Sequence, residues 1–146
     1  MAQITATFDS GLSETFPAGI AAGEALARAG SQEFPVVAAL VDNEVMSLDW
    51  ILKGDCRISP VLANSSAGAL VYRRSLCFLL AIASREAFPE RRLIAGMAIG
   101  TGFYHYYADE RPLIGEEVDA LAGKMRDLVE ADVPIHLETW QWEKAC

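Results

Sequence analysis

Hydrophobic positions in residues 1–63 come in short runs separated by turn residues, which predicts strands rather than long helices. Five runs predict strands, and an Ala-rich stretch between the second and third predicts a short helix closed by Gly30. The order β-β-α-β-β-β suits one sheet with a single helix across it. The strands are expected at Ile4–Phe8, Leu12–Phe16, Val36–Val41, Val45–Leu48 and Arg57–Leu62, and the helix at Ile20–Ala29.

From residue 64 onward the apolar pattern lengthens and predicts helices alternating with strands. Asn64-Ser65-Ser66 is a helix N-cap signal, and the long run after it is apolar on most faces, which predicts a buried central helix. Three glycines, Gly96, Gly100 and Gly102, predict a loop. The expected elements are helices over Ala67–Phe88 and Glu116–Glu130, and strands over Leu93–Ala95, Phe103–Tyr107 and Val133–Trp140. The fold class is therefore α+β, with domains at residues 1–63 and 64–146.

Charge narrows the range of partners. The net charge is −8, with eight acids against three bases in residues 1–63 and twelve against nine in the remainder. Such a chain repels phosphate backbones at long range, so DNA is not an expected partner and RNA would need a local basic patch. The longest apolar run, Leu76–Ala83, is too short to span a bilayer, so no membrane contact is expected. The N-terminus lacks a signal peptide and the three cysteines match no zinc or redox motif, which indicates a cytoplasmic protein with reduced thiols.

The first domain resembles a known family. The segments ITATFDSGLSETFPAGIAAGEALARAG and VVAALVDNEVMSLDWILKGDCRISPV are similar to a TGS domain, a β-grasp unit. TGS domains open threonyl-tRNA synthetases and occur in certain GTPases and (p)ppGpp synthetase/hydrolases. The resemblance implies a binding or regulatory role for this domain.

The second domain resembles the start of the second N-terminal domain of threonyl-tRNA synthetases, the editing domain. The matching motifs are Phe88-Pro89, Ile99-Gly100, Gly102-Phe103-Tyr104 and Val133-Pro134-Ile135. In that family the long helix carries an HxxxH pair that edits mischarged tRNA. The resemblance places those two positions at Arg74 and Phe78, and neither side chain replaces an imidazole.

Three hypotheses follow from this departure. Some uridine kinase-type nucleoside kinases carry the same two N-terminal domains with an Arg-rich stretch in the helix, and Tyr72-Arg73-Arg74-Ser75 matches it. The favoured hypothesis is therefore a non-catalytic region of such a kinase. The alternatives are the N-terminal region of a divergent threonyl-tRNA synthetase and a free-standing TGS-type binding module. In the first two, a covalently attached C-terminal domain performs catalysis, and ATP and Mg²⁺ belong to that domain only.

Four residues are candidates for binding a small ligand or RNA. Arg73 and Arg74 offer cations on the long helix, and Tyr104 and His105 lie in an aromatic strand able to stack a base. The structural alternatives are an arginine that pairs with a nearby acid and aromatics that pack against the helix. No residue is predicted to be catalytic, and neither histidine has partners at metal-ligand spacing.

A stability prediction accompanies the buried-helix interpretation. If the helix is central to the core, Phe78→Asp should be severely destabilising, because it buries an unpaired charge.

Overall fold

The computed structural model describes residues 2–30, 32–133, 135 and 141. It forms two compact units, Met1–Ser75 and Leu76–Cys146, whose division falls inside the long helix. The domain boundary expected after residue 63 stays a prediction.

The first unit contains a five-stranded mixed sheet with one helix. Its strand order is β2-β1-β5-β3-β4; β1 and β5 are parallel neighbours, and the other neighbours are antiparallel. This arrangement has the β-grasp topology, and the α+β fold class is confirmed. The elements are β1 (Gln3–Phe8), β2 (Ser13–Pro17), α1 (Ala22–Arg28), β3 (Val36–Val41), β4 (Glu44–Met46) and β5 (Cys56–Leu62).

The core of this unit lies on one face of the sheet, because side chains alternate along each strand. On β1, Ile4, Ala6 and Phe8 are buried while the intervening threonines are less so. Leu52 fills the same cluster from the loop after β4. The β3–β4 hairpin turns through Asp42 (φ 48°) and Asn43 (φ 71°), as the turn signal predicts.

Helix α2 (Ser66–Ala87) begins at the predicted N-cap. The Ser65 hydroxyl accepts a hydrogen bond from the Gly68 N–H at 3.0 Å and donates one to the Leu62 carbonyl at 2.7 Å. Only glycine fits at position 68, since an added Cβ would lie 2.0 Å from the Leu62 carbonyl oxygen.

The second unit holds the rest of α2, a two-stranded antiparallel sheet and a second long helix. The loop predicted at Gly96 is wrong, because the strand continues through this glycine with a shift in register between Ala95 and Ala98. Glycine is required there because a Cβ would lie 2.8 Å from the Tyr104 carbonyl oxygen. The elements are β6 (Leu93–Ile99), β7 (Gly102–Tyr107) and α3 (Gly115–Glu130). Most of the predicted strand Val133–Trp140 lies outside the described residues.

The prediction that Phe78 lies on a buried face of α2 is wrong. Phe78 is 52% exposed, whereas Ala83 and Ser84 are buried. A run that is apolar all round does not indicate which side packs, so the pattern overstated the buried fraction. The premise behind a severe effect of Phe78→Asp therefore fails. Leu70, Tyr72 and Leu76 are also exposed on this helix.

By length and composition alone, α2 is also a candidate membrane span, because the helix extends well beyond the apolar run Leu76–Ala83. A span would bury Arg73 and Arg74 near its middle, and an arginine at the centre of a spanning helix costs roughly 2.5–3.5 kcal/mol. The absence of membrane contact stays a prediction.

Candidate functional site

The second unit encloses a cavity of about 580 Å³. Its walls come from α2, the β6–β7 hairpin, the loop that follows β7, and α3. Most of the lining is apolar, with a few polar side chains at the loop, which is the usual chemistry of a small-molecule site. The described lining residues are Leu80, Leu93, Tyr104, His105, Tyr106, Tyr107, Glu110, Arg111, Pro112, Leu113 and Leu121.

A buried hydrogen bond fixes the helix wall against the hairpin. The Ser84 and Tyr107 hydroxyls are 2.7 Å apart, and the two residues are 1% and 3% exposed. The Phe88 ring meets the Tyr107 ring edge to face, with centroids 6.2 Å apart. Because a buried hydroxyl without a partner is costly, this contact sets the position of Tyr107 at the cavity wall.

An arginine holds the loop after β7. The Arg91 guanidinium binds both Asp109 carboxylate oxygens, at 2.8 and 3.0 Å, and donates to the Arg111 carbonyl at 2.7 Å. Its Cζ atom lies 4.0 Å from the centroid of the Tyr107 ring, a cation–π distance. The hydrogen bond from Arg91 holds the pKa of the Asp109 carboxyl below its usual value, and the same bond raises the pKa of Arg91.

Glu117 links this loop to the start of α3. Its carboxylate accepts a hydrogen bond from the Ile114 backbone N–H at 3.0 Å and forms an ion pair with Arg111. The backbone hydrogen bond and, next, the Arg111 hydrogen bond lower the pKa of Glu117. A carboxylate in the first turn also stabilises the helix, because it lies near the positive end of the helix dipole. The Glu117 carboxylate lies 3.6 Å from Nη1 of Arg91, the guanidinium nitrogen that does not contact Asp109, so the network is continuous.

Two of the four predicted site residues line this cavity. Tyr104 and His105 are consecutive on β7, so their side chains leave opposite faces of the strand. The Tyr104 ring stacks on Tyr106 with centroids 5.8 Å apart, and both residues are exposed. His105 is half-buried, and its Nδ1 lies 3.2 Å from the Phe103 carbonyl oxygen.

The other two predicted residues, Arg73 and Arg74, do not line the cavity. Arg74 is exposed, Arg73 is half-buried, and neither forms an ion pair within the described part of the chain. Their binding role stays a prediction.

The sequence analysis did not identify the Arg91 network. Asp109 lies at an exposed turn, and its carboxylate is bound by Arg91. The two residues are 18 positions apart, so no local pattern joins them before the hairpin forms. Within the described residues no group of three or more His, Cys, Asp or Glu is arranged to hold a metal ion.

No protein-family model matches the chain. The curated proteins that match the chain include threonine–tRNA ligases. That of Azoarcus sp. (strain BH72) is 32% identical over 109 residues, covering 75% of this chain and 17% of the ligase. That of Halorhodospira halophila (strain DSM 244 / SL1) is 34% identical over 105 residues, covering 72% of this chain and 16% of the ligase. That of Cereibacter sphaeroides (strain ATCC 17025 / ATH 2.4.3) is 28% identical over 147 residues, covering 99% of this chain and 23% of the ligase.

The chain is similar to threonine–tRNA ligases over most of its length. It spans only 16% to 23% of the length of these three ligases. The similarity supports the synthetase alternative better than the favoured kinase hypothesis, which these relatives do not support.

Proposed function

We propose that the chain is a non-catalytic accessory region of a protein related to threonine–tRNA ligases. The observation that carries this proposal is the similarity to those ligases, at 28% to 34% identity over 72% to 99% of the chain. Because the chain matches less than a quarter of each ligase, the catalytic step belongs to an attached polypeptide.

The replaced histidine pair supports a role without hydrolysis. In the family resemblance the editing positions fall at Arg74 and Phe78, which are four residues apart on α2 and both exposed. Neither side chain acts as a general base near neutral pH. The proposed region therefore binds or positions a ligand, and it does not edit through this pair.

Exposed apolar side chains on the hairpin of the second unit fit an attached domain. Met97 is 74% exposed and Ile99 61% exposed, at one end of a sheet that has two strands in the described part of the chain. Sheets of two strands are marginal alone, and large apolar side chains in water favour a covering partner. A covalently attached domain is the proposed partner of this surface.

A nucleoside kinase is the second candidate, and one sequence feature favours it. Tyr72-Arg73-Arg74-Ser75 matches the Arg-rich stretch of the kinase-linked domains, and Arg74 is exposed as a phosphate-binding residue would need to be. The threonine–tRNA ligase relatives do not support the kinase candidate.

The editing claim is tested by incubating the full-length protein with threonine-specific tRNA mischarged with serine. We expect no hydrolysis above the uncatalysed rate, and no change with Arg74→Ala. Hydrolysis that Arg74→Ala or Phe78→Ala abolishes would contradict the proposal. Arg126→Ala, which removes an exposed arginine of α3, is the matched control.

A further inference from the structure

The cavity of the second unit has the construction of a preformed ligand site. Its volume of about 580 Å³ falls within the roughly 300–1,000 Å³ usual for small-molecule pockets. The Ser84–Tyr107 hydrogen bond fixes one wall, and the Arg91–Asp109 pair fixes the loop at the other. A cavity held open by such contacts needs little reorganisation on binding.

The body of the cavity is aliphatic and aromatic. Leucines come from three separate elements, namely Leu80 of α2, Leu93 of β6 and Leu121 of α3, and Pro112 and Leu113 close the loop side. This lining selects a ligand with an apolar body.

The two charged residues of the cavity lining differ in their partners. Arg91 pairs with Asp109, and Arg111 pairs with Glu117. Glu110 lines the cavity, and within the described residues its carboxylate has neither a hydrogen bond nor a salt bridge. Of the two charged residues that line the cavity, Arg111 is paired with Glu117, and the exposed Glu110 carboxylate is the one available to a ligand.

His105 of the lining also offers a hydrogen-bond acceptor. The Phe103 carbonyl oxygen can only accept, so the Nδ1 atom of His105, 3.2 Å away, is the donor. In the neutral imidazole with a proton on Nδ1, Nε2 is an acceptor. Glu110 and His105 therefore both offer hydrogen-bond acceptors to a ligand.

We infer that the cavity binds a small organic amine with an apolar body, whose ammonium group is held by Glu110. The apolar part occupies the leucine-lined interior, and the ammonium group lies at the loop. This inference deepens the proposed binding role and rests on it.

Three probes of matched shape test the charge requirement on the full-length protein by titration calorimetry. They are 2-phenylethylamine, 2-phenylethanol and 3-phenylpropanoate. The amine should bind saturably and about three- to fivefold more tightly than the alcohol, the upper range for an ion pair with an exposed carboxylate. Glu110→Gln should remove that difference and leave alcohol binding unchanged, while Glu130→Gln, an exposed acid of the same unit, should preserve it.

Equal binding of all three probes, tighter binding of the carboxylate, or no saturable binding would each overturn the inference. Leu113→Trp should fill the cavity and abolish binding of both amine and alcohol, with a thermal melt confirming that the variant is folded. Amine affinity unchanged in that folded variant would place the site elsewhere and overturn the inference. These titrations do not measure threonine or uridine chemistry, so their failure is distinguishable from failure of the proposed function.

Discussion

At the residue scale, close packing lets some positions hold only glycine. Gly68 and Gly123 illustrate the contrast, since both lie within helices. A Cβ at position 68 would lie 2.0 Å from the Leu62 carbonyl oxygen, whereas a Cβ at position 123 would meet no atom within 4 Å. The same residue type therefore has opposite meanings at the two sites.

Gly68→Ala should destabilise the protein by roughly 2–4 kcal/mol, because a buried backbone contact must open. Gly123→Ala should stabilise it by about 0.5–1 kcal/mol, because glycine is a poor helix former. Chemical denaturation of both variants gives the two free energies of unfolding. Similar values for the two would show that α2 does not approach Leu62 as described.

The paired carboxylates of the loop make stability depend on pH. The pKa of Asp109 and that of Glu117 are lowered in the folded protein from ordinary values of 3.8 and 4.5. Their contribution is present above those ordinary values and is lost as pH falls through the lower, folded values. Melting temperature should therefore fall below about pH 4.5. Asp109→Asn should show a shallower fall than wild type, and Asp132→Asn should follow wild type.

At the scale of elements, the pattern of apolar residues predicted most of the strands and helices, but it did not predict the side on which α2 packs. The strands of the first unit alternate, so their inward faces were evident before folding. In α2, apolar residues cover most of the circumference, so periodicity offered no direction. Arg91 and Asp109 meet only after β6 and β7 pair, and a contact of that kind leaves no trace in local spacing.

The Ser84–Tyr107 hydrogen bond should couple α2 to β7 energetically. Ser84→Ala and Tyr107→Phe should each cost about 1–3 kcal/mol, because each leaves a buried hydroxyl unpaired. The double variant should cost less than the sum, with a coupling of roughly 0.5–3 kcal/mol. Additive effects in a double-mutant cycle measured by thermal unfolding would show that the two hydroxyls are not partners.

Exposure on α2 changes the expectation for Phe78→Asp. With Phe78 52% exposed, the substitution should change the free energy of unfolding by less than about 1 kcal/mol. Leu121→Asp, at a position only 5% exposed, should cost roughly 4 kcal/mol or more, because it buries an unpaired charge. Comparable losses in urea denaturation would contradict the burial described for α2.

At the scale of the whole molecule, two features shape the account: an acidic chain and a match to only part of each relative. A net charge of −8 argues against tight autonomous binding of RNA. The Gly-Phe-Tyr and Phe-Pro motifs led to the synthetase resemblance, which the relatives support. The Tyr72–Ser75 stretch alone suggested the kinase, because a short motif on one helix carries little information about an attached domain.

The central claim is tested most directly by assaying the full-length protein for threonine-dependent exchange of pyrophosphate into ATP, alongside ATP-dependent phosphorylation of uridine. The account predicts exchange that requires threonine and Mg²⁺, with no phosphorylation of uridine. Uridine phosphorylation without threonine-dependent exchange would contradict the account in favour of a nucleoside kinase. The absence of both activities would also contradict the account, in favour of a free-standing binding module.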